Sequence, residues 1–336
     1  MRQITIGPNE AGQRFDKFLH KYMKDAPSGF FYKMMRKKNI VLNGQKCTGS
    51  EKLTEGDVVK LFLSEDTLQN FGAADFVKAD TSEYERAFSC IGNLQIVYED
   101  SHILAVNKPS GILSQKAKPS DLTLNEWLIG YLLDSGAISL EELNTFKPSV
   151  CNRLDRNTSG LVLCGKSLEG TQFLTKLIRD REIRKFYRLI VKGEICSKML
   201  LQAWLKKDHR TNQVRISETY ANGADEIKTG IEPLSCSKLP SAGFVTYAEV
   251  ELFTGKTHQI RAHLSSIGHP LLGDPKYGDQ KLNELCRRFG VKDQLLHAYR
   301  IEFPEALPEE FSHLAGKRLE AGLPAEFQTI LKRMEG

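Results

Sequence analysis

Apolar residues at Phe15, Phe18, Leu19 and Tyr22 recur on one face of a 3.6-residue period, with Arg14, Lys17 and Lys21 pointing elsewhere, which predicts an amphipathic helix. A second helix is predicted after Pro27-Ser28, through Phe30, Phe31, Met34 and Met35 to the basic run Arg36-Lys37-Lys38. Ile40-Val41-Leu42 then reads as a strand entering an Asn43-Gly44 turn, and Glu55-Gly56-Asp57 as a tight turn before the strand Val58 to Leu63. From Ser64 to Asn93 the periodicity fades into acidic, polar sequence, read as a linker with some local structure. Beyond it strand-type runs dominate. Leu94 to Tyr98 and Ile103 to Lys108 flank a turn at Glu99-Asp100-Ser101-His102, and Pro109-Ser110-Gly111 makes a second turn. Thr123-Leu124-Asn125-Glu126 is a capping box opening a helix at Trp127-Leu128. Gly160 to Gly165 is a short apolar strand closed by glycine. Arg184 to Gly193 alternates, with Tyr187, Leu189 and Val191 on one face and Phe186, Arg188 and Ile190 on the other. A last helix is predicted from about Thr257 to Gly268, burying Ile260, Leu264 and Ile267 with Arg261 at the edge of that face. The pattern divides the chain into a small unit at 1–63, a linker at 64–93 and a large unit at 94–336.

Charge sharpens that division. The net charge is +5, but residues 1–63 hold 12 Lys/Arg against 6 Asp/Glu and residues 64–95 hold 2 against 6, so the basic excess belongs to the first unit. With 336 residues and 40% hydrophobic content the chain has the composition of an ordinary globular protein of two domains. No stretch is long and apolar enough to cross a membrane, and the start Met1 to Pro8 lacks the apolar core of a secretory signal, so a cytoplasmic protein is expected. The seven cysteines form no CxxC pair and the eight histidines no HExxH pairing, so reduced thiols and no metal are expected.

The segment richest in candidate chemistry is Arg153-Leu154-Asp155-Arg156-Asn157-Thr158-Ser159-Gly160-Leu161, a carboxylate between two guanidinium groups just before a buried strand. A guanidinium within a few ångström favours the charged form of a carboxylate, and a charged carboxylate in a pocket can serve as nucleophile or base. Taken alone, the same residues would also suit a solvated turn with weak ion pairs.

The nonamer resembles the signature loop of the RluA-type pseudouridine synthases, HRLDxxTSGL, with Asn152 standing where histidine is more common. Four further stretches resemble that family's motifs in order: Asn107-Lys108-Pro109-Ser110-Gly111, Lys185-Phe186-Tyr187, Gly255-Lys256-Thr257-His258-Gln259-Ile260-Arg261-Ala262-His263, and Leu296-His297-Ala298. The basic N-terminal unit, two helices followed by a small hairpin, resembles the RNA-binding domain named after small-subunit ribosomal protein S-four, and the combination resembles the RluC branch. The resemblance implies an α+β catalytic domain with a central mixed, mainly antiparallel sheet and a cleft on one face. It implies isomerisation of uridine to pseudouridine in RNA without a cofactor. Asp155 would be the catalytic nucleophile or base, Arg261 its partner, Tyr187 the ring that stacks on the uracil, Leu296 an apolar contact to the base, and Arg153 a wedge filling the space the base vacates. Arg14, Lys17, Lys33, Arg36 and Lys37 would meet phosphates, supplying affinity rather than sequence choice. Ribosomal RNA of the large subunit leads as substrate, transfer RNA follows, and a monomer is expected. Two other readings stay open, an RNA-binding protein that has lost catalysis and a hydrolase pairing Asp155 with a second carboxylate; Asn152 motivates the first, and it leads to an expectation of altered hydrogen bonding around Asp155.

Overall fold

In the computed structural model, residues 1–73, 81–140, 142–208, 213–240 and 242–335 are described. Among them no helix is long and apolar enough to cross a membrane. The first unit comprises β1 (Arg2–Thr5), α1 (Phe15–Tyr22), α2 (Ser28–Arg36), β2 (Ile40–Leu42), β3 (Gln45–Lys46) and β4 (Val58–Leu61). Its sheet has the order β1-β4-β2-β3 with antiparallel neighbours. The apolar face of α1 drives its packing: Phe15, Phe18 and Leu19 are fully buried against Phe31 and Met35 of α2 and against Ile40, Val59 and Leu61 of the sheet. The predicted Asn-Gly turn forms with both residues at positive φ, Asn43 at 52° and Gly44 at 75°, the geometry that suits a two-residue hairpin. Strand β1 was absent from the pattern because Arg2-Gln3-Ile4-Thr5 offers one buried-type residue for alternation to act on.

The segment read as a linker carries α3 (Glu65–Asn70) and α4 (Ser82–Ile91), and residues 74–80 of it lie outside the described residues. The helices pack on different bodies. Leu68 of α3 and Ala73 join the N-terminal core, with Arg2 donating to the Ala73 carbonyl at 2.8 Å. Tyr84, Phe88 and Ile91 of α4 pack on the core of the large unit.

The large unit follows as β5 (Gln95–Glu99), β6 (Ile103–Lys108), α5 (Leu124–Asp134), β7 (Ser149–Val150), β8 (Ser159–Gly165), α6 (Leu168–Arg179), β9 (Arg184–Lys192), β10 (Met199–Asp208), β11 (Gln213–Ser217), β12 (Asp225–Leu239), β13 (Gly243–Leu252), α7 (Gln259–Ser266), α8 (Gln280–Arg288), β14 (Leu296–Glu302), β15 (Arg318–Glu320) and α9 (Ala325–Glu335). One sheet runs through it in the order β11-β10-β12-β13-β9-β14-β8-β6-β5, with β15 beside β14 and β7 beside β8. Neighbours are antiparallel except β14 and β8, which run parallel, so the fold is α+β with a mixed, mainly antiparallel sheet. Alternation along β9 works as expected: Tyr187, Leu189 and Val191 enter the core under α5 and α7, while Ile190 enters a second core with α8 and α9. A third core under α6 holds Leu161, Leu163, Phe173 and Phe311, the last two rings stacked at 3.8 Å.

Two details differ from the sequence reading. In the expected capping box, Thr123 Oγ1 accepts from the Asn125 amide at 3.2 Å, but Glu126 bonds the Thr123 hydroxyl rather than its backbone amide. Helix α7 begins at Gln259, since His258 is left-handed at φ 54°, and Ile267 is 37% exposed just past its end instead of buried.

Candidate active site

The loop from Cys151 to Thr158 leaves β7 and enters β8, and the residues around it fix where Asp155 stands. Ser114 bridges the loop backbone, donating to the Leu154 carbonyl at 3.1 Å and accepting from the Leu154 amide at 3.0 Å. The Gly111 amide donates to the Arg156 carbonyl at 2.9 Å. Lys108 is fully buried beneath the turn, with Nζ donating to the carbonyls of Pro109, Ile112 and Arg156 at 2.8 to 3.1 Å. Three acceptors match the three N–H bonds of an ammonium. Burial works against that charge and pulls the amine down to about 7, with the charges of Asp155 and Asp293 opposing the shift. Asp293 ties the same loops from outside, accepting from Ser110 Oγ at 2.9 Å and from Asn157 Nδ2 at 2.6 Å.

The glycine of the nonamer has a packing reason. Gly160 sits at φ 114° where β8 meets β14, and a Cβ there would lie 2.3 Å from the Ala298 carbonyl oxygen. Only glycine allows that approach.

Asp155 meets an arginine from a motif 106 positions away: Arg261 Nη1 donates to Asp155 Oδ2 at 2.9 Å. The other two donors of the fork are taken. Nε and Nη2 donate to the two oxygens of Asp274 at 2.7 and 2.8 Å. Asp274 is fully buried and also accepts from the backbone amides of Lys276 and Tyr277. Burial opposes the charge of Arg261, but the bonds and charge of Asp274, with Asp155 behind them, outweigh it and hold the guanidinium above its usual range. Arg261 is thus a fixed cation, held by one carboxylate and presented to another. Asp155 keeps a 26% exposed side chain, so the carboxylate faces open space as well as its partner.

A second chain of contacts arrives from the same side. The Val214 amide donates to Tyr277 Oη at 3.0 Å, and Tyr277 Oη lies 2.9 Å from His258 Nδ1. The Tyr277 hydroxyl can donate its own hydrogen or accept a second one, so either partner can supply the proton between them, and the ring nitrogen of His258 turned the other way is Nε2. That nitrogen is 3.8 Å from Asp155 Oδ2. Burial pushes His258 down, only partly offset by Asp155.

Tyr187 stands on β9 opposite Ala298 and Val250, 8% exposed. Its hydroxyl has no hydrogen bond among the described residues. Burial pushes its pKa well up and the charge of Asp155 adds to the push, so the phenol stays protonated in neutral solution. Leu296 opens β14 opposite Leu189, buried in the core cluster that also contains Tyr187 and Leu154. Arg153 is exposed beside Asp155, without a hydrogen bond or ion pair among the described residues.

Asn152 does not touch Asp155. Its carboxamide lies on β8, Oδ1 accepting from the Leu163 amide at 2.7 Å and Nδ2 donating to the Leu161 carbonyl at 3.3 Å. The expectation that it alters hydrogen bonding around Asp155 is corrected: it extends the pairing of the loop to the strand, as the Cys151 amide does with the Leu163 carbonyl at 2.7 Å.

The five basic residues of the N-terminal unit are all exposed on or beside α1 and α2. Arg14 is partly engaged, donating to both oxygens of Asp16 at 3.1 and 2.8 Å. That unit is joined to the large one by a buried bond between Glu10 and Thr145 and by Asn9 donating to Glu142 at 2.8 Å. Asp274, Tyr277, Asp293 and Ser114 were missed from sequence. Asp274 carried a signal: a carboxylate inside Gly273-Asp274-Pro275, eight residues past the end of the helix that carries Arg261.

Residues 102–266 match the family model described as RNA pseudouridylate synthase. The chain is 30% identical over 328 residues to "Ribosomal large subunit pseudouridine synthase C" of Vibrio vulnificus, with 94% of each chain covered. Against the protein of the same name from Vibrio cholerae it is 30% identical over 331 residues, covering 96% of this chain and 93% of the relative. Among solved structures, "Human RNA Pseudouridylate Synthase Domain Containing 4" matches with a TM-score of 0.56 at 19% identity, over 76% of this chain and 97% of that one. "Human RNA Pseudouridylate Synthase Domain Containing 1" matches with a TM-score of 0.52 at 22% identity, over 73% and 96%. These two establish the fold of the large unit, and the relatives, nearly as long as this chain and aligned along almost all of it, establish its kinship: the chain belongs to the RluA-type RNA pseudouridine synthases.

Proposed function

We propose that the protein isomerises specific uridines of large-subunit ribosomal RNA to pseudouridine, with Asp155 as the catalytic carboxylate. The observation that carries the assignment is an accessible carboxylate held by one donor of a buried arginine whose other donors are locked by Asp274. The reaction breaks the bond between ribose C1′ and uracil N1, turns the base, and joins C1′ to C5. A proton leaves C5 and one is taken up at N1, so no atom is gained or lost. Asp155 serves as nucleophile at C1′ or as the base that takes the C5 proton, with Arg261 holding the carboxylate in place.

The base must leave its stack to reach this carboxylate, at a cost of a few kcal/mol. Tyr187 offers a ring to stack on, worth about 1 to 3 kcal/mol for a base. Leu296 supplies an apolar wall, and Arg153, exposed and unengaged, fills the space the base leaves. Residues 1–63 act as the S-four-type RNA-binding unit, in which Lys17, Lys33, Arg36 and Lys37 with Arg14 bind phosphates. Asp155, Tyr187, Arg261 and Leu296 all come from one chain, which supports a monomer as the working unit.

Unmodified large-subunit ribosomal RNA incubated with the full chain tests the assignment by mapping pseudouridine. Wild-type protein is expected to form it at a few defined uridines and Asp155→Ala at none. No product on ribosomal RNA with product on transfer RNA would overturn the substrate, and full activity of Asp155→Ala would overturn the site.

A further inference from the structure

Beside the Asp155 site lies a cavity of about 270 Å³, lined by Arg181, Asp225, Glu226, Lys228, Phe253 and Lys256 among others. Three connections make it a neighbour of the site. The loop carrying Phe253 and Lys256 runs on into His258, 3.8 Å from Asp155. Lys185 shares a face of β9 with Tyr187, two residues away. Its Nζ lies 3.8 Å from where a Cβ on Gly255 would be.

The chemistry of the cavity suits a nucleotide. Phe253 is a large aromatic left 37% exposed, packed over Gly230, where a Cβ would come within 3.2 Å of the ring. Lys228 Nζ lies 5.1 Å from the ring centroid. Burial pulls the Lys185 ammonium toward its neutral form, and the nearby charge of Arg181 adds to that pull. Neither side chain has a hydrogen bond or ion pair among the described residues, so both cations are available to an anion. Arg181 also adopts a left-handed backbone at φ 60°, uncommon for a residue with a side chain. Of the two carboxylates that line the cavity, Asp225 is bonded to Lys256 at 2.7 Å and Glu226 is exposed. An aromatic ring beside unpaired cations is the usual platform for one base and its phosphate in single-stranded RNA.

We infer that this cavity binds a nucleotide flanking the target uridine, its base stacked on Phe253 and its phosphate between Arg181, Lys185 and Lys228. This rests on the RNA-modifying reading above. The site then grips the strand at two points, the extruded uridine and one neighbour, and the second grip contributes to sequence preference around the target.

The test uses the full chain and a short transcript carrying a uridine that mapping shows to be modified. Single abasic residues are placed at each of the three positions on either side, and rates are measured over a range of RNA concentrations. One position is expected to raise KM for wild-type protein about 5- to 150-fold, the range of one base–aromatic stack, with kcat changed less than about 2-fold. Phe253→Ala should raise KM similarly on the intact transcript and lose sensitivity to that abasic position, and Phe253→Tyr should restore both. Arg181→Ala should raise KM on every transcript and flatten the dependence on salt. Equal behaviour of wild-type and Phe253→Ala on all transcripts, or no sensitive position, would overturn the inference while leaving the enzyme assignment standing. An acidic peptide or protein that protects Arg181 from modification where the transcript does not would also overturn it. No product from wild-type protein on the intact transcript would instead overturn the assignment itself.

Discussion

Arg261 gives two of its three bonds to Asp274 and only one to Asp155. The residue that orients the arginine is therefore not the one that faces open space. A lone Arg–Asp pair in an open cleft could rotate apart, while a guanidinium held bidentately at a fully buried carboxylate has its third donor fixed in direction. Removing Asp274 would leave a buried cation with half its partners.

Asp274→Asn is accordingly expected to cost about 3 to 5 kcal/mol in urea unfolding, the range for breaking a buried pair from one side. Arg261→Lys is the gentler test. Lysine keeps the charge but cannot span both carboxylates, so the fold should persist while kcat falls by about 100-fold or more. A kcat for Arg261→Lys within a few-fold of wild type would show that the charge, and not the fork, is what Asp155 requires.

Gly160→Ala tests why the nonamer ends as it does. Its added Cβ would lie 2.5 Å from the Ala298 amide nitrogen as well as against the carbonyl, and the backbone sits at φ 114°. Neither neighbour is a flexible side-chain end, so β8 and β14 must separate and carry the Asp155 loop with them. The expected result is a loss above about 3 kcal/mol, read from thermal or urea unfolding, together with lost activity.

How much of this was legible in the chain follows from range. Periodicity placed α1, the Asn43-Gly44 turn and the two faces of β9, because each is decided within a few residues. The pairing of Asp155 with Arg261 came from family resemblance, since no local pattern links positions 106 apart. Asp293 and Ser114 were invisible for the same reason, and Asp274 left only a local hint: each acts through a contact that the fold creates. Asn152 shows the converse. In the motif it stands next to the carboxylate loop, yet its side chain is turned to the backbone of β8, where an amide can both donate and accept. Neighbourhood in sequence misled there because the turn sends successive side chains in different directions.

Tyr187 separates stacking from packing. Its hydroxyl has no partner among the described residues, so Tyr187→Phe should leave stability within about 0.5 kcal/mol and RNA affinity unchanged, as the ring face remains. Tyr187→Ala removes a buried ring from the main core and should cost about 3 to 5 kcal/mol. Binding isotherms and melts on both variants decide this. A large stability loss in Tyr187→Phe would mean the hydroxyl is engaged in the folded protein.

Two buried histidines give the fold a defined acid limb. His297 is fully buried, with Nδ1 2.8 Å from the Ser159 hydroxyl and Nε2 3.2 Å from the Ala321 carbonyl, and burial pushes it down to about 4. His263 is 2% exposed, bonded through Nδ1 to Thr229 at 3.0 Å, and is also pushed down to about 4 by burial. An unfolded histidine takes its proton near 6.5. Between about 6.5 and 4 the unfolded chain therefore binds protons that the folded chain refuses, and stability rises with pH across that window. The contribution is complete above about pH 6.5 and lost as the pH falls to about 4, a few kcal/mol for the pair. Urea midpoints measured from pH 7.5 down to 4.5 should fall steadily. In His297→Gln, which can still donate to Ala321 and accept from Ser159 but does not titrate, the slope should be shallower by about half. A slope unchanged in that variant would place the titrating group elsewhere. Because Ser159 begins the strand that carries Gly160, the same acid limb should appear in activity, with the Asp155 loop loosening before the N-terminal unit unfolds.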